Sequence, residues 1–361
     1  MSNACANVCP FESYCIGHCI KGIKGEPVKI AKLEKYVNNW ARSNNIEYKY
    51  KIDKKNGIKV AIIGSGPAGL ECSVELAKKG FDITIFEKEK EIGGLLSYGI
   101  PGFRLPRNIT QEITKRIVDL GIKIKTNTEL GKDISIKELK GKFKAIFIAI
   151  GADIPSTYNL TNEETNNIFK SSYILKEYNA KRTIKDLGDV IVIGGGNVAT
   201  DSARAVLRMG AKSSTIVYRR DKEKMPARED ELKAASKDGV KIIYNTKVLE
   251  AIIINNKIES VKCIKTKTLD NEIKDIPNSE YDIAADSIVF AIGLKPDKDL
   301  LQKEQIELSE NGLINVNENY MTNIKGVFAG GDVTQNKATV CMAVNNGKKA
   351  AEEILNYCLN N

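Results

Sequence analysis

The sequence predicts an α/β protein: two parallel-sheet domains behind a short, helical, cysteine-rich segment. Three observations predict it. The apolar run Val60–Ile63 leads into Gly64-Ser65-Gly66-Pro67-Ala68-Gly69, a helical apolar stripe, a second run at Ile83–Phe86 and the acid Glu87. The design returns at Val190–Ile193 with Gly194-Gly195-Gly196-Asn197-Val198-Ala199, a helix and the run Ser214–Tyr218, but there the end is Arg219-Arg220. Strand, glycine turn, helix and strand make a βαβ unit, and βαβ units make parallel sheets. Last, Cys5, Cys9, Cys15 and Cys19 crowd the N-terminus, half of the eight cysteines in the chain.

Bulk properties exclude several classes. The 361 residues leave room for two domains. A hydrophobic share of 42% beside 28% charged residues is that of a globular protein. No apolar run approaches the roughly 18 residues of a membrane span. The N-terminus lacks the basic-then-apolar pattern of an export signal. A cytoplasmic protein with no membrane partner is therefore expected. The net charge is +9, without a basic cluster interleaved with aromatics, which argues against nucleic acid. That excess suits anionic dinucleotides and an acidic electron-transfer partner. Cys72, Cys263, Cys341 and Cys358 are scattered and read as small apolar packing groups. One metal or cluster motif in a reducing compartment fits this usage better than a disulfide scaffold. The single histidine, His18, lies inside the cysteine group, so a Ser-His-Asp or Cys-His hydrolase has no base elsewhere.

The elements follow in order. Cys5-x3-Cys9-Pro-x4-Cys15-x3-Cys19 offers thiolates for an iron–sulfur cluster or zinc. Residues 27–42 carry Ile30, Leu33, Val37 and Trp40 at helical spacing. Residues 44–57 are polar and read as a linker. In the first βαβ unit Gly64 permits the sharp turn, Gly66 lets a pyrophosphate approach the backbone and Gly69 lets helix and strand pack closely. The helix start offers free N–H groups and a positive dipole end to phosphates. Glu87 can accept from a ribose diol. Gly93-Gly94 opens a bend where backbone can approach a ligand closely, residues 108–120 have helical spacing, and Ile122–Lys125 and Phe143–Ile150 read as strands, the latter ending at Gly151.

The second unit differs chemically at its end. An acid there suits a free ribose hydroxyl, whereas Arg219 and Arg220 suit a 2′-phosphate. The first site thus reads as FAD and the second as NADPH. Short strand-like runs follow at Val240–Tyr244, Val248–Ile254, Ile258–Ile264 and Ile288–Ile292. The middle ones suggest a β-meander, and the last, ending at Gly293, reads as the return to the first domain. Finally Gly326–Asp332 leads into a helical stretch from Ala338 to Leu355. Gly331 and Asp332 can meet a ribityl hydroxyl, and the helix start near Thr339 can face the flavin O2.

Several stretches resemble the small-subunit family of NADPH-dependent glutamate synthase. Its kin include the flavin subunit of NADH-dependent ferredoxin:NADP oxidoreductase and the N-terminal half of dihydropyrimidine dehydrogenase. The stretches are Val8–Cys19 (VCPFESYCIGHC), Lys21–Glu34 (KGIKGEPVKIAKLE), Tyr98–Pro106 (YGIPGFRLP), Tyr218–Arg228 (YRRDKEKMPAR) and Val327–Asp332 (VFAGGD), besides the two glycine loops. The resemblance implies a disulfide-reductase-like architecture in which an NADPH domain is inserted into an FAD domain. It adds Arg104 to the candidate FAD residues, with Gly94 and Leu95, and adds Arg228 and Gly293 to those for NADPH. The expected bounds are 1–56 for the cysteine-rich segment, 57–186 with 282–361 for the FAD domain, and 187–281 for the NADPH domain. The implied activity is hydride transfer from NADPH to FAD and electron release to an iron–sulfur centre or a partner. That partner is a large subunit or another acceptor protein. No catalytic side chain is needed, because the flavin carries the chemistry.

Family members carry further cysteines ahead of this point and two [4Fe-4S] clusters, whereas this chain begins at Met1. By the family pattern Cys9 and Cys15 serve one cluster with Glu34, Cys19 serves the other, and Cys5 substitutes for an upstream ligand. The segment thus reads as a truncated iron–sulfur domain, with [4Fe-4S] as a candidate cofactor. Two alternatives stand: a flavin-bound assembly subunit without activity, and a thioredoxin-reductase-like enzyme. The second needs a redox dithiol, and the chain has no C-x-x-C.

Overall fold

The computed structural model describes residues 1–46, 49–156, 158, 160, 167–269, 272–335 and 339–360. Two residues of the expected linker, 47 and 48, and the expected helix start Ala338 lie outside them. The chain divides into two compact units. The first comprises Met1–Ser97, Gly102–Asp153 and Lys295–Asn361, the second Tyr98–Pro101 and Ile154–Leu294.

The chain opens with helices α1 (Ser2–Val8), α2 (Lys21–Lys24) and α3 (Ile30–Ser43). Next come β1 (Lys59–Ile63), α4 (Pro67–Lys78), β2 (Asp82–Phe86), α5 (Leu95–Tyr98), α6 (Arg107–Asp119), β3 (Lys123–Lys125), α7 (Ile136–Lys140) and β4 (Ala145–Ile148). β5 (Ile154–Pro155), β6 (Ile168–Lys170), α8 (Ser171–Asn179), β7 (Asp189–Ile193), α9 (Asn197–Arg208), β8 (Ser213–Val217), α10 (Glu229–Lys237) and β9 (Lys241–Ile243) follow. Strands β10 (Thr246–Ile254), β11 (Lys257–Leu269), β12 (Glu272–Ala284), β13 (Ser287–Phe290) and β14 (Leu294–Lys295) come before α11 (Lys298–Lys303), β15 (Val327–Ala329) and α12 (Val340–Asn360).

In the first unit the sheet order is β15-β4-β1-β2-β3, all parallel. Such a sheet is covered on both faces, so its strands read as continuous apolar runs. Val60 and Ile62 face a core with Leu70, Leu76, Phe147 and Ile354, while Ala61 and Ile63 face another with Ile148, Leu139 and Leu301. Phe147 is fully buried at the centre, and its truncation to Ala costs about 3–5 kcal/mol. The order reverses between β1 and β4, which opens a crevice at their C-terminal ends, where α/β sheets bind ligands. The second unit repeats the plan as β6-β13-β7-β8-β9, all parallel, with its reversal between β7 and β13. A three-stranded antiparallel sheet, β10-β11-β12, completes it.

Three points differ from expectation. Ile288–Ile292 is not the return to the first domain, because β13 pairs with β7 and β6 inside the second sheet. The units accordingly part at 153/154 and 294/295 rather than near 186 and 282. The run Val240–Tyr244, expected as a strand, supplies β9, parallel to β8. β12 was not expected: it is polar, and it contains Pro277, which has no N–H for a ladder. Pro277 falls in the register shift between Ile264 and Thr266, where a bulge tolerates it. Lastly, Leu33, Val37 and Trp40 of α3 are exposed, and only Ala31 of that helix is buried. α3 packs on α1 through its other side, and its Arg42 pairs with Glu112 of α6.

Candidate functional site

All the candidate FAD residues fall in the first unit and all the candidate NADPH residues in the second. The first glycine loop runs from β1 into α4 at the strand-order reversal. Gly64 has φ +95°, and a Cβ there would meet Ala149 O at 2.5 Å. A Cβ on Gly69 would lie 2.1 Å from Gly64 O, so this glycine lets α4 close on the loop. Nothing lies within 4 Å of the Cβ direction of Gly66, which leaves an open backbone cradle at the start of α4. Pro67 takes the first helical position and Ala68 lies beneath α12. Gly94 closes one side: a Cβ on it would be 2.9 Å from Gly66 Cα. Leu95 begins α5, and Gly151 follows β4 with φ +72°.

Glu87 ends β2 with its carboxylate buried. It accepts from Ser65 N at 2.9 Å, from Ser65 Oγ and from Glu89 N at 2.8 Å. Ser65 Oγ also accepts from Gly93 N at 3.0 Å. Ser65 thus locks the acid to the loop and to the glycine bend. On the far side Gly331 and Asp332 follow β15, and Gly331 N donates to Asn346 Oδ1 of α12 at 3.2 Å. Asp332 Oδ1 is buried without a hydrogen-bond partner, and loss of water pushes its carboxyl up to about 6. An enclosed acceptor next to Gly331, whose Cβ position lies 3.0 Å from Ala68 Cβ at the start of α4, fits a hydroxyl-rich dinucleotide. Thr339 directly precedes α12, and its Oγ1 is 3.5 Å from Tyr14 Oη. Arg104 is half-buried in the same unit.

The second loop follows the same plan between β7 and α9. A Cβ on Gly194 (φ +148°) would meet Ala291 O at 2.3 Å, while Gly196 again faces open space. Asn197 and Val198 begin α9, and Ala199 is fully buried where the first loop has its third glycine. Asn197 Oδ1 accepts from Arg228 N at 3.0 Å, so these two residues are joined. The Arg228 guanidinium is buried against Asp230 at 2.6 Å. Arg219 is exposed; the half-buried Arg220 has an enclosed Nε without a partner. Gly293 follows β13 with φ +113°. Guanidinium groups beside a helix start fit a nucleotide that carries an extra phosphate.

Among the described residues no three Cys, His, Asp or Glu side chains converge as a metal donor set. Half-buried Cys19 accepts from Val28 N at 3.4 Å, a hydrogen bond that lowers its pKa. Burial raises Cys5 to about 11 and Cys9 to about 12.

Comparison with known proteins decides the family. Residues 58–349 match the family model described as pyridine nucleotide-disulphide oxidoreductase. The chain belongs to this family. Membership makes it an oxidoreductase that works with FAD and a pyridine nucleotide. Residues 1–46 match dihydropyrimidine dehydrogenase domain II, 4Fe-4S cluster. The NADPH glutamate synthase small chain of Escherichia coli K12 is 31% identical, covering 99% of this chain and 80% of that protein. The PreT subunit of the NAD-dependent dihydropyrimidine dehydrogenase of Escherichia coli O157:H7 is 34% identical over 98% of this chain and 81% of its own length. The fold is also that of Lactococcus lactis thioredoxin reductase, with TM-score 0.65, 24% identity and coverage of 84% of this chain and 100% of that one. Mycobacterium tuberculosis FprA in complex with NADPH has TM-score 0.72 at 16% identity, covering 84% and 85%. Among the described residues of this oxidoreductase no helix is long and apolar enough to cross a membrane.

Sequence reasoning missed three residues of the oxidoreductase. Asn346, on the buried face of α12, anchors Gly331. Tyr218 lies over Gly195 and donates to Lys224 O at 2.7 Å, which shapes the turn after β8. Cys341 sits in the first turn of α12, in hydrogen-bond contact with Thr339. Tyr218 stood in a strand run, but no local pattern marks the contacts these three make.

Proposed function

We propose that this oxidoreductase takes a hydride from NADPH onto FAD and sends electrons onward to an iron–sulfur centre or a partner subunit. The observation that carries the reading is the contrast between two otherwise equal glycine loops. One ends on Glu87, a buried carboxylate already held by Ser65; the other ends on Arg219 and Arg220. A carboxylate repels a 2′-phosphate and accepts from a ribose diol, while guanidinium pairs with the phosphate. When bound, the flavin supplies hydride acceptance and stepwise electron release. The chain's own residues bind and orient. Gly64–Gly69 and the α4 N-terminus cradle a pyrophosphate, Glu87 holds a ribose, Asp332 accepts from a ribityl hydroxyl, and the first turn of α12 offers N–H groups to an anionic ring. Gly94, Leu95, Arg104 and Gly151 line this side, and Gly194, Gly196, Asn197, Arg228 and Gly293 do the same for NADPH.

The partner is a further part of the proposal. The glutamate synthase small chain and the dihydropyrimidine dehydrogenase relative are subunits by name, which supports a protein acceptor. Free cysteines suit the reducing cytoplasm. The test is coenzyme choice, read as steady-state rates with an artificial acceptor. The double variant Arg219→Glu with Arg220→Ala should raise KM for NADPH about 10- to 100-fold, from lost charge-assisted bonds of about 1.5–3 kcal/mol, and leave NADH use unchanged. Equal effects on both coenzymes would sink the 2′-phosphate assignment.

A further inference from the structure

The chain passes between its two units at 97/98, 101/102, 153/154 and 294/295. The last two crossings run side by side, because β5 and β14 pair there as a two-stranded ribbon, and Ser156 N donates to Gly293 O at 3.0 Å. Paired strands act as one hinge, about which a unit can still turn. The first two crossings bound a strap, Tyr98–Pro101, which lies in the second unit while both its flanks belong to the first. On one flank the buried Ser97 Oγ donates to Ile92 O at 2.7 Å; on the other Leu105 is fully buried. Asn179, the last residue of α8, holds the strap: its Nδ2 donates to Tyr98 O and to Ile100 O, each at 3.1 Å. One turn earlier Lys176 Nζ lies 5.5 Å from the centre of the Tyr98 ring. A single amide nitrogen carries two N–H groups, so it satisfies two carbonyls at once. Pro101 fixes its own φ and stiffens the end of the strap.

We propose that Asn179 is a positioning residue for hydride transfer: by clasping Tyr98–Pro101 it stops the NADPH-binding unit turning about the β5–β14 ribbon. This rests on the reading that gives FAD to the first unit and NADPH to the second. The strap continues directly from Gly94 and Leu95 and runs on to Arg104, all three of them candidate FAD residues. Its clasp comes from α8, which packs on α9, the helix that begins at the NADPH loop. A turn of either unit is therefore resisted by the two hydrogen bonds of one side chain. Asn179 acts through the backbone of the strap and not on a coenzyme. Such a restraint matters because a misplacement of about 1 Å between reacting groups costs about 100-fold in rate.

The test uses the full FAD-loaded chain, reduced anaerobically by saturating NADPH in a stopped-flow instrument. Asn179→Asp keeps the shape but sets a carboxylate against two carbonyl oxygens, and Asn179→Ala removes the clasp without adding charge. Both should lower the limiting rate of flavin reduction about 10- to 100-fold, with FAD content and the half-saturating NADPH concentration unchanged. Their reduction should also slow as sucrose raises the viscosity, because the turning of a freed unit then limits it. A wild-type rate in both variants overturns the inference. So does a loss confined to FAD content or melting temperature, which marks a role in stability alone. Wild type supplies an arm that needs no variant: its limiting rate should not change with viscosity. A wild-type rate that falls in proportion to viscosity shows a unit already free to turn and overturns the inference too. If NADPH does not bleach the wild-type flavin while dithionite does, the coenzyme assignment itself fails, and the inference falls with it.

Discussion

Replacing Asp332 by Asn separates two effects of opposite sign. The carboxyl oxygen Oδ1 is enclosed without a partner, and loss of water raises the group to about 6 from its ordinary value near 4. A raised carboxyl pKa means that the folded apoprotein keeps its proton where the unfolded chain has lost it. Stability therefore falls as pH rises from about 4 to about 6, and the cost is fully present above that window. Its size is about 3 kcal/mol at most. Asp332→Asn keeps the shape and removes the buried charge. The apoprotein of the variant should melt several degrees higher than wild type at pH 7.5 and no higher at pH 4. FAD binding should move the other way. A carboxylate that accepts from a ligand hydroxyl contributes about 1.5–3 kcal/mol, so affinity should fall about 10- to 100-fold. Thermal scans of the apoprotein at both pH values and a titration of FAD fluorescence read the two effects. A variant that melts lower at pH 7.5, or that binds FAD as tightly as wild type, would refute the reasoning.

Two further substitutions test the scaffold around that cradle. Ser65→Ala removes a fully buried hydroxyl that donates to Glu87 and accepts from Gly93 N. It should cost about 1–3 kcal/mol in urea unfolding of the apoprotein and also weaken FAD binding. Gly347→Ala would put a Cβ 2.2 Å from Ala68 O, where α12 crosses α4. Overpacking of this kind costs about 1–3 kcal/mol, and a loss of FAD should accompany it, because α12 also carries Asn346 and so positions Gly331.

The two βαβ units were legible because each combines a buried parallel strand, a glycine turn and a helix within about 30 residues. Glu87 against Arg219-Arg220 was legible because an acid and a pair of cations stand at equivalent strand ends. Order along the chain could not show that Ile288–Phe290 joins the second sheet, since a short apolar strand fits either sheet and only pairing with Ile191 and Ile168 decides. β12 was hidden by its polarity and by Pro277, which the register shift accommodates. In α3 the apolar spacing correctly indicated a helix, but Leu33, Val37 and Trp40 stay exposed, because periodicity reports a face and not what covers it. Cys341 read as a packing group, yet it lies half-exposed in the first turn of α12, against Thr339 Oγ1; exposure of this kind leaves no mark in spacing. Ser65 and Asp332 were both singled out, but the clamp of one on Glu87 and the bare oxygen of the other appear only in three dimensions.

The most direct measurement is anaerobic reduction of the FAD-loaded protein by stoichiometric NADPH, followed through the visible flavin absorbance. The assignment of one loop to FAD and the other to NADPH predicts rapid bleaching with NADPH and much slower bleaching with NADH at equal concentration. A flavin that stays oxidised in NADPH, while dithionite reduces it fully, would contradict the account.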